Sequence, residues 1–383
     1  MAVRKRIWTT RKGEEREAWV VDYTDPAGKR KFETFTRKGD ADARAAKIKV
    51  DLGKGTHVAL DSKTTVADVA ENWIRRLEAD GRERSTLAQY RQHLNLHILP
   101  HLGRVRLAKL TPERIEAYRD LCLLGENGTG RAEMSRAMAR KVLVSLKSLL
   151  RGARCGHLVD GIRITLKERD KRQIEIGRDV PENAEIKRLF AATADQPKKR
   201  ALLLMAAFTG LRASELRGLR WYDVDLKVGE LHVRQRADRY GVIGGPKSKK
   251  SRRTIPLDPE LLIPALREWK VACPKNELDL VFPTRTGAID THKNMLRSLE
   301  PIMRAAGVVH KNGKPKYALH AFRHYFASWC ISPKERGGRE LSAKVVQEWL
   351  GHSTIAMTLD VYGHLFKDVD SDELASAVKR VLG

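Results

Sequence analysis

Cysteine is scarce: Cys122, Cys155, Cys273 and Cys330 are the 4 in 383 residues, and no two form a Cys-x-x-Cys pair. That scatter excludes a disulfide framework and a zinc ribbon and fits reduced thiols in a cytosolic protein. Long apolar runs are missing too. ALLLMAAF (201–208) is the longest near the middle of the chain, far short of the ~20 residues that cross a bilayer. The N-terminus, MAVRKRIWTTRKGEER, is charged without an apolar stretch, so no secretory signal is read there and no membrane role is expected. There is no Walker-type phosphate loop and no carboxylate cluster suited to Mg²⁺, so no nucleotide, metal or other cofactor is expected. Acidic residues are the last deficit: 48 Asp and Glu face 74 Lys and Arg, for a net charge of +26. The excess runs along the whole chain, as suits a protein that tracks a long polyanion, and salt-dependent nucleic-acid binding through counterion release follows.

What is present is enough apolar material, 42 % of residues, for real cores in two or three domains. Residues 1–60 read as a small β-sheet plus one helix. Trp8 marks a first strand, and AWVVDY (18–23) alternates with Trp19, Val21 and Tyr23 on one face. DPAG (25–28) signals a turn, and KRKFETF (29–35) returns. Asp40 is read as the cap of a helix reaching about Leu52. The basic residues around these elements (Arg4, Lys5, Arg6, Arg11, Lys12, Lys29, Arg30, Lys31) make the sheet a candidate for a DNA groove. Residues 64–158 read as an all-α bundle. Thr65, Ser85, Thr111-Pro112 and Ser135 open its helices, and Val142, Leu146, Leu149 and Leu150 are buried in the last. Residues 159–178 are polar and basic and read as a linker. Residues 179–383 read as an α+β domain, mostly helical, in which GELHVRQR (229–236) and SRRTIPL (251–257) are strands flanking a basic hairpin.

Four stretches of that third domain matter together. In TGLRASELRGL (209–219), Gly210 allows a sharp turn into a helix that places Arg212 in its first turn and Glu215 on the same face. A guanidinium at a helix N-terminus suits a phosphate. GGPKSKKSRRTIPL (244–257) is a lysine-rich hairpin tip. HAFRH (320–324) sets His320 and Arg323 on one helix face. In LGHSTIAMTLDVYGHL (350–365), Gly351 ends a helix, His352 projects from the break, and a short helix leads to Tyr362. A tyrosine there has little reason to be core. Its hydroxyl, with a pKa of about 10, is a poor nucleophile at neutral pH. It becomes competent when fixed donors neutralise and orient a phosphodiester, and two Arg and two His can do so. The expelled 5′-oxygen needs a proton, which a Lys can supply.

These stretches resemble the tyrosine recombinase (phage integrase) family. TGLRASEL is similar to its first arginine box, HAFRH to its His-x-x-Arg box, and LGHSTIAMTLDVYGHL to its final box. The resemblance implies Arg212 and Arg323 as a phosphate clamp, His320 and His352 as oxygen donors or proton shuttles, and Tyr362 as nucleophile. Glu215 would orient its neighbours. The general-acid lysine would sit on the hairpin, where Lys247 fits best and Lys249 next. His324 adjoins the clamp Arg but is turned about 100° from it along a helix, so a structural or phosphate-contact role is expected. By the same resemblance, residues 1–60 would bind arm-type DNA sites, and 64–158 would be the SAM-like core-binding domain. Residues 179–383 would be catalytic, with an amphipathic tail at 370–382. The implied activity is that of an integrase: cleavage and rejoining through a 3′-phosphotyrosine, and strand exchange through a Holliday junction. Its partners would be double-stranded attachment sites, three further copies in a tetramer, and possible directionality (excisionase) and DNA-bending host proteins. The setting would be the bacterial cytoplasm at the nucleoid, in a prophage or integrative element. A type IB topoisomerase-like nicking–closing enzyme and a catalytically inactive DNA-binding relative stand as alternatives.

Overall fold

Alternating residues at the start of the chain build an antiparallel sheet in the order β1 (Ala2–Thr9), β2 (Glu15–Thr24), β3 (Arg30–Phe35). The computed structural model describes residues 1–10, 13–25, 28–54, 63–124, 134–166, 174–246 and 251–366. Lys247, Lys249, Arg11, Lys12 and the tail at 370–382 therefore lie outside the described residues. Val3 pairs with Val21 and Val21 with Glu33, which puts Val3, Trp19, Val21, Tyr23 and Phe35 on one face. That face packs on α1 (Lys38–Gly53) through Ala41, Ala45, Ile48 and Leu52. Asp40 is not the cap. Arg37 holds that position without a side-chain bond, and Asp40 lies in the first turn, where its charge suits the helix dipole.

The helical segment that follows runs α2 (Val66–Ala79), α3 (Arg84–His93), a π-helical turn (Leu94–Ile98), α4 (Leu99–Leu102), α5 (Pro112–Leu124) and α6 (Arg136–Gly152). Thr65 and Asp68 form a reciprocal capping box on α2, and Ser135 caps α6 by accepting from the Met138 amide at 3.2 Å. Ser85 does not cap α3, whose N-cap is Glu83. The core is built from Val69, Trp73, Ile98, Ile115, Leu146 and Leu150. Ile162 and Ile164 join it, so the start of the stretch read as a polar linker is packed: alternation of just two isoleucines is too short a signal to notice.

By its contacts the chain divides into two units, Met1–Arg172 and Gln173–Gly383. In the second, α7 (Asn183–Ala191) precedes α8 (Pro197–Phe208), whose residues Ala201 to Ala207 are all buried. Next come α9 (Ala213–Arg217), β4 (Val224–Asp225), β5 (Glu230–Val233), the two-stranded ribbon β6 (Arg236–Ala237) and β7 (Ile243–Gly244), and β8 (Arg253–Pro256). The sheet order is β4-β5-β8, so the two strands expected around the hairpin pair directly, Leu231 opposite Ile255. The helices α10 (Leu262–Ala272), α11 (His292–Ala305), α12 (Leu319–Ile331), α13 (Ala343–Leu350) and α14 (Ala356–Tyr362) complete the unit. Its main core joins α8, the sheet, α10 and α11 to one side of α12, while Phe326, Cys330, Val346, Leu350 and Tyr362 form a second cluster between α12, α13 and α14. The fold is mostly helical with small antiparallel sheets.

Candidate active site

The last turn of α13 leaves backbone carbonyls without helical partners, and three arginines reach them. Arg253, on β8, donates its Nε to the Trp349 carbonyl at 2.6 Å. Arg323, on α12, donates Nη2 to the Leu350 carbonyl at 2.7 Å and Nη1 to the Gly210 carbonyl. Arg212 donates Nη2 to the Gly351 carbonyl at 3.1 Å. A cationic cap at a helix C-terminus also complements the helix dipole. The helix stops because Gly351 turns left-handed, at φ 64°. His352 follows, and its Nδ1 lies 2.9 Å from the Thr358 hydroxyl.

Arg212 owes its place to Gly210. That residue has φ 61°, and a Cβ there would meet the Phe326 ring at 2.4 Å. The turn sets Arg212 at the N-cap of α9 rather than inside its first turn, with Glu215 at the third helical position. Glu215 is 3 % exposed. It accepts from the Arg212 amide at 2.9 Å, from Arg212 Nη1 at 2.9 Å, and from Arg253 Nη2 and Nη1 at 2.8 and 3.2 Å. Burial pushes its carboxyl up, but Arg253 and Arg212 outweigh that and hold it below the usual carboxylate range. Arg323 is 3 % exposed, and burial followed by repulsion from Arg212 lowers its pKa to about 9. The Arg212 side chain, at 34 % exposure against 4 % for Glu215, is the part of this network open to an incoming anion.

Tyr362 contradicts the expectation that it stands outside the core. It is 2 % exposed among Phe326, Val346 and Leu350. Thr358 and Tyr362, four residues apart on α14, form the inner face of that helix. Burial raises the Tyr362 pKa, opposed by the charge of Arg323. The Tyr362 hydroxyl lies 2.6 Å from Nδ1 of His324, so the residue expected to point away from the site is part of it. The ring of His320 stands edge to face with that of His324, centroids 4.5 Å apart. Burial first, then the charges of Arg323 and Arg212, depress His352 to about 4. Loss of hydration and the same two arginines lower His320.

Arg212, Glu215, His320, Arg323, His352 and Tyr362 therefore meet around the end of α13, whereas Lys247 is outside the described residues. Arg253 was missed, and His324 was expected only in a structural or phosphate-contact role rather than beside Tyr362. Arg253 was legible: it alternates with Ile255 and Leu257, so a strand that buries those two also turns Arg253 inward. His324 was not, because helical spacing shows only which face a residue occupies and not what another helix brings to it.

Residues 180–368 match the model of the phage integrase family, and residues 65–121 match that of its N-terminal SAM-like domain. The chain belongs to the phage integrase family of tyrosine recombinases. It is 26 % identical to a tyrosine recombinase XerC-like protein of Caldanaerobacter subterraneus, with 86 % of each chain covered. It is 34 % identical to tyrosine recombinase XerC of Xanthomonas axonopodis over 46 % of its length, and 30 % identical to the ICEBs1 integrase of Bacillus subtilis over 45 %. It spans about half the length of these last two, 51 % and 46 %. Among solved structures, the Tn1549 transposon integrase in complex with transposon right end DNA shares the fold, with a TM-score of 0.59 at 19 % identity over 84 % of this chain and all of that one (100 %). A lambda integrase dimer bound to a core site does so with a TM-score of 0.56 at 18 % identity over 95 % of this chain and 97 % of the other. As a tyrosine recombinase the protein cleaves and rejoins DNA strands.

Proposed function

We propose that this recombinase integrates and excises a mobile element by cleaving DNA through a 3′-phosphotyrosine at Tyr362 and exchanging strands through a Holliday junction. The observation that carries the proposal is the convergence of Tyr362 with Arg212, Arg323, His320 and His352 around the end of α13. Arg212 and Arg323 clamp the scissile phosphate, and fixed positive charge stabilises the dianionic transition state. His320 and His352 donate to its non-bridging oxygens. Tyr362 attacks, and Lys247 protonates the departing 5′-oxygen. Glu215 holds the two arginines of the first box and β8 in place. Glu215 offsets one of the three guanidinium charges, so the four buried or half-buried groups carry +2, which matches a phosphoryl transition state rather than a resting diester.

The domain roles follow the same reading, with the linker shortened by the packing of Ile162 and Ile164: residues 1–60 bind arm-type sites, 64–164 the core site, 165–178 link, and 179–383 catalyse. Support for the arm role comes from the sheet face away from α1. The pairing register sets Arg4, Arg6, Trp8, Arg16, Arg30 and Phe32 on it. Trp8 and Phe32 are 40 % and 53 % exposed, and the Arg30 guanidinium lies 5.2 Å over the Phe32 ring. Cationic and aromatic side chains on one open sheet face suit a DNA groove. Support for the mobile-element role comes from relatives described as an ICEBs1 integrase and a Tn1549 transposon integrase. A lambda integrase of the same fold has been seen as a tetramer on a Holliday junction, and four copies of this chain on two DNA sites are proposed in the same way. Directionality and DNA-bending host proteins are proposed as further partners, and the nucleoid as the working site.

Covalent trapping tests the proposal. Duplex DNA spanning the ends of the element, nicked near the crossover, is incubated with the full chain and with Tyr362→Phe. A denaturation-resistant adduct in the first and none in the second is expected. An adduct with both proteins would move the nucleophile elsewhere, and tight specific binding with no adduct would favour an inactive DNA-binding relative.

A further inference from the structure

An attacking tyrosine must lose its proton, and among the described residues neither His320 nor His352, the two read above as oxygen donors or proton shuttles, is hydrogen-bonded to the Tyr362 hydroxyl. Tyr362 and His324 sit on different helices, α14 and α12, yet the hydroxyl oxygen and Nδ1 are 2.6 Å apart. Among the described residues that hydroxyl has no other hydrogen-bond partner. The other two histidines are less well placed: His352 Nδ1 is engaged by the Thr358 hydroxyl, and His320 meets His324 rather than the tyrosine. Because successive residues of a helix diverge by 100°, α12 sends Arg323 to the carbonyls of Gly210 and Leu350 and His324 to the nucleophile.

We propose that His324 is the general base of strand cleavage, accepting the Tyr362 proton at Nδ1 and returning it during rejoining. This rests on the reading of Tyr362 as nucleophile. In cleavage the Oη–P bond forms while the P–O5′ bond breaks. The Tyr362 proton passes to His324, which becomes an imidazolium, and the 5′-oxygen takes a separate proton from the hairpin lysine. Rejoining runs the two transfers backwards. No free tyrosinate is needed, because a phenol bonding to phosphorus becomes strongly acidic as the bond forms.

The surroundings of His324 suit this task. It is faced by His320 and Arg323 of its own helix, by Asp179 ahead of α7, by His352 beyond α13 and by Tyr362. Burial, then His320 and Arg323, hold its pKa down to about 4. The ring is therefore neutral at pH 7 and offers a lone pair to the hydroxyl. An incoming phosphodiester brings negative charge next to the imidazole, which raises its basicity only when substrate is bound.

The test is single-turnover cleavage of a nicked duplex by the full chain, with His324→Ala and His324→Asn, on ordinary DNA and on DNA with a 5′-thiol leaving group. Asn keeps an acceptor near the Nδ1 position but cannot take the proton. Both variants are expected to bind DNA like wild type and to cleave about 10²- to 10⁴-fold more slowly, the usual scale of a lost general base. Both are expected to lose the limb of the pH–rate profile that rises with pH, and to stay slow on the thiol substrate, which relieves only the need for an acid. Near-normal cleavage by the Asn variant would reduce His324 to a positioning residue and overturn the proposal. So would rescue of either variant by the thiol leaving group. An adduct missing in wild type, or present in Tyr362→Phe, would instead overturn the underlying reading of the nucleophile.

Discussion

Among the described residues Glu215 is the sole anion tying Arg212 and Arg253 together, so Glu215→Gln isolates the energetics of the site. The carboxylate takes four hydrogen bonds from the two arginines and is 3 % exposed. A unit charge pair about 4 Å apart is worth about 4 kcal/mol at an effective dielectric constant of 20, set against the cost of burying the charges. The variant keeps the size but turns an amide N–H₂ toward one guanidinium and leaves Arg253, 5 % exposed at its side chain, without a counter-charge. Breaking a buried charge network in this way costs about 3–5 kcal/mol. With a urea m-value of about 2 kcal/mol per molar, the midpoint should fall by about 1.5–2.5 M. The assay is a urea melt of the full chain, with exchange mass spectrometry on peptides from 319–350 identifying the transition that opens α12 and α13. Phosphate should recover more stability in the variant than in wild type, since the local charge rises from +2 to +3. A loss below about 1 kcal/mol, or no added response to phosphate, would refute the reasoning that Glu215 is the charge compensator.

Arg212→Lys should abolish most cleavage while leaving the fold intact, because an ammonium cannot replace a fork that spans Glu215 and the Gly351 carbonyl. Near-normal adduct formation would remove Arg212 from the clamp. Lys247→Ala should cleave ordinary DNA slowly and 5′-thiol DNA at close to the wild-type rate, and the same pattern in Lys249→Ala instead would reassign the general acid. His324 and His352 have native pKa values of about 4 against about 6.5 unfolded. Between those values the unfolded chain binds protons that the native chain refuses, so stability is full above pH 6.5 and is lost as pH falls toward 4. Urea midpoints at pH 7, 6 and 5 should decrease in that order, and an increase on acidification would contradict the burial of these rings.

Much of the fold was legible because its signals are local. Alternation at Trp19, Val21 and Tyr23 marked a strand with one inward face, and Ser135 marked the start of α6. Errors fell where a short polar residue competes with its neighbours for the same job. Asp40 and Ser85 are good caps in isolation, yet the helices begin before them at Lys38 and Arg84. Tyr362 was misjudged for another reason. An isolated seven-residue helix has no strong apolar stripe, and only the cluster of Phe326, Val346 and Leu350 gives its inner face something to pack on.

The sequence by itself determined the residue types of the chemistry, their order along the chain and the polyanion partner, because composition and motif spacing need no third dimension. Only the tertiary structure decided how the boxes are joined. Three guanidiniums from separate segments meet three successive carbonyls at the end of α13, and a histidine on α12 meets a hydroxyl on α14. Those contacts bring together residues far apart in the sequence, so helical or strand periodicity carries no trace of them. They form because buried carbonyls and a buried phenol must find polar partners once water is excluded.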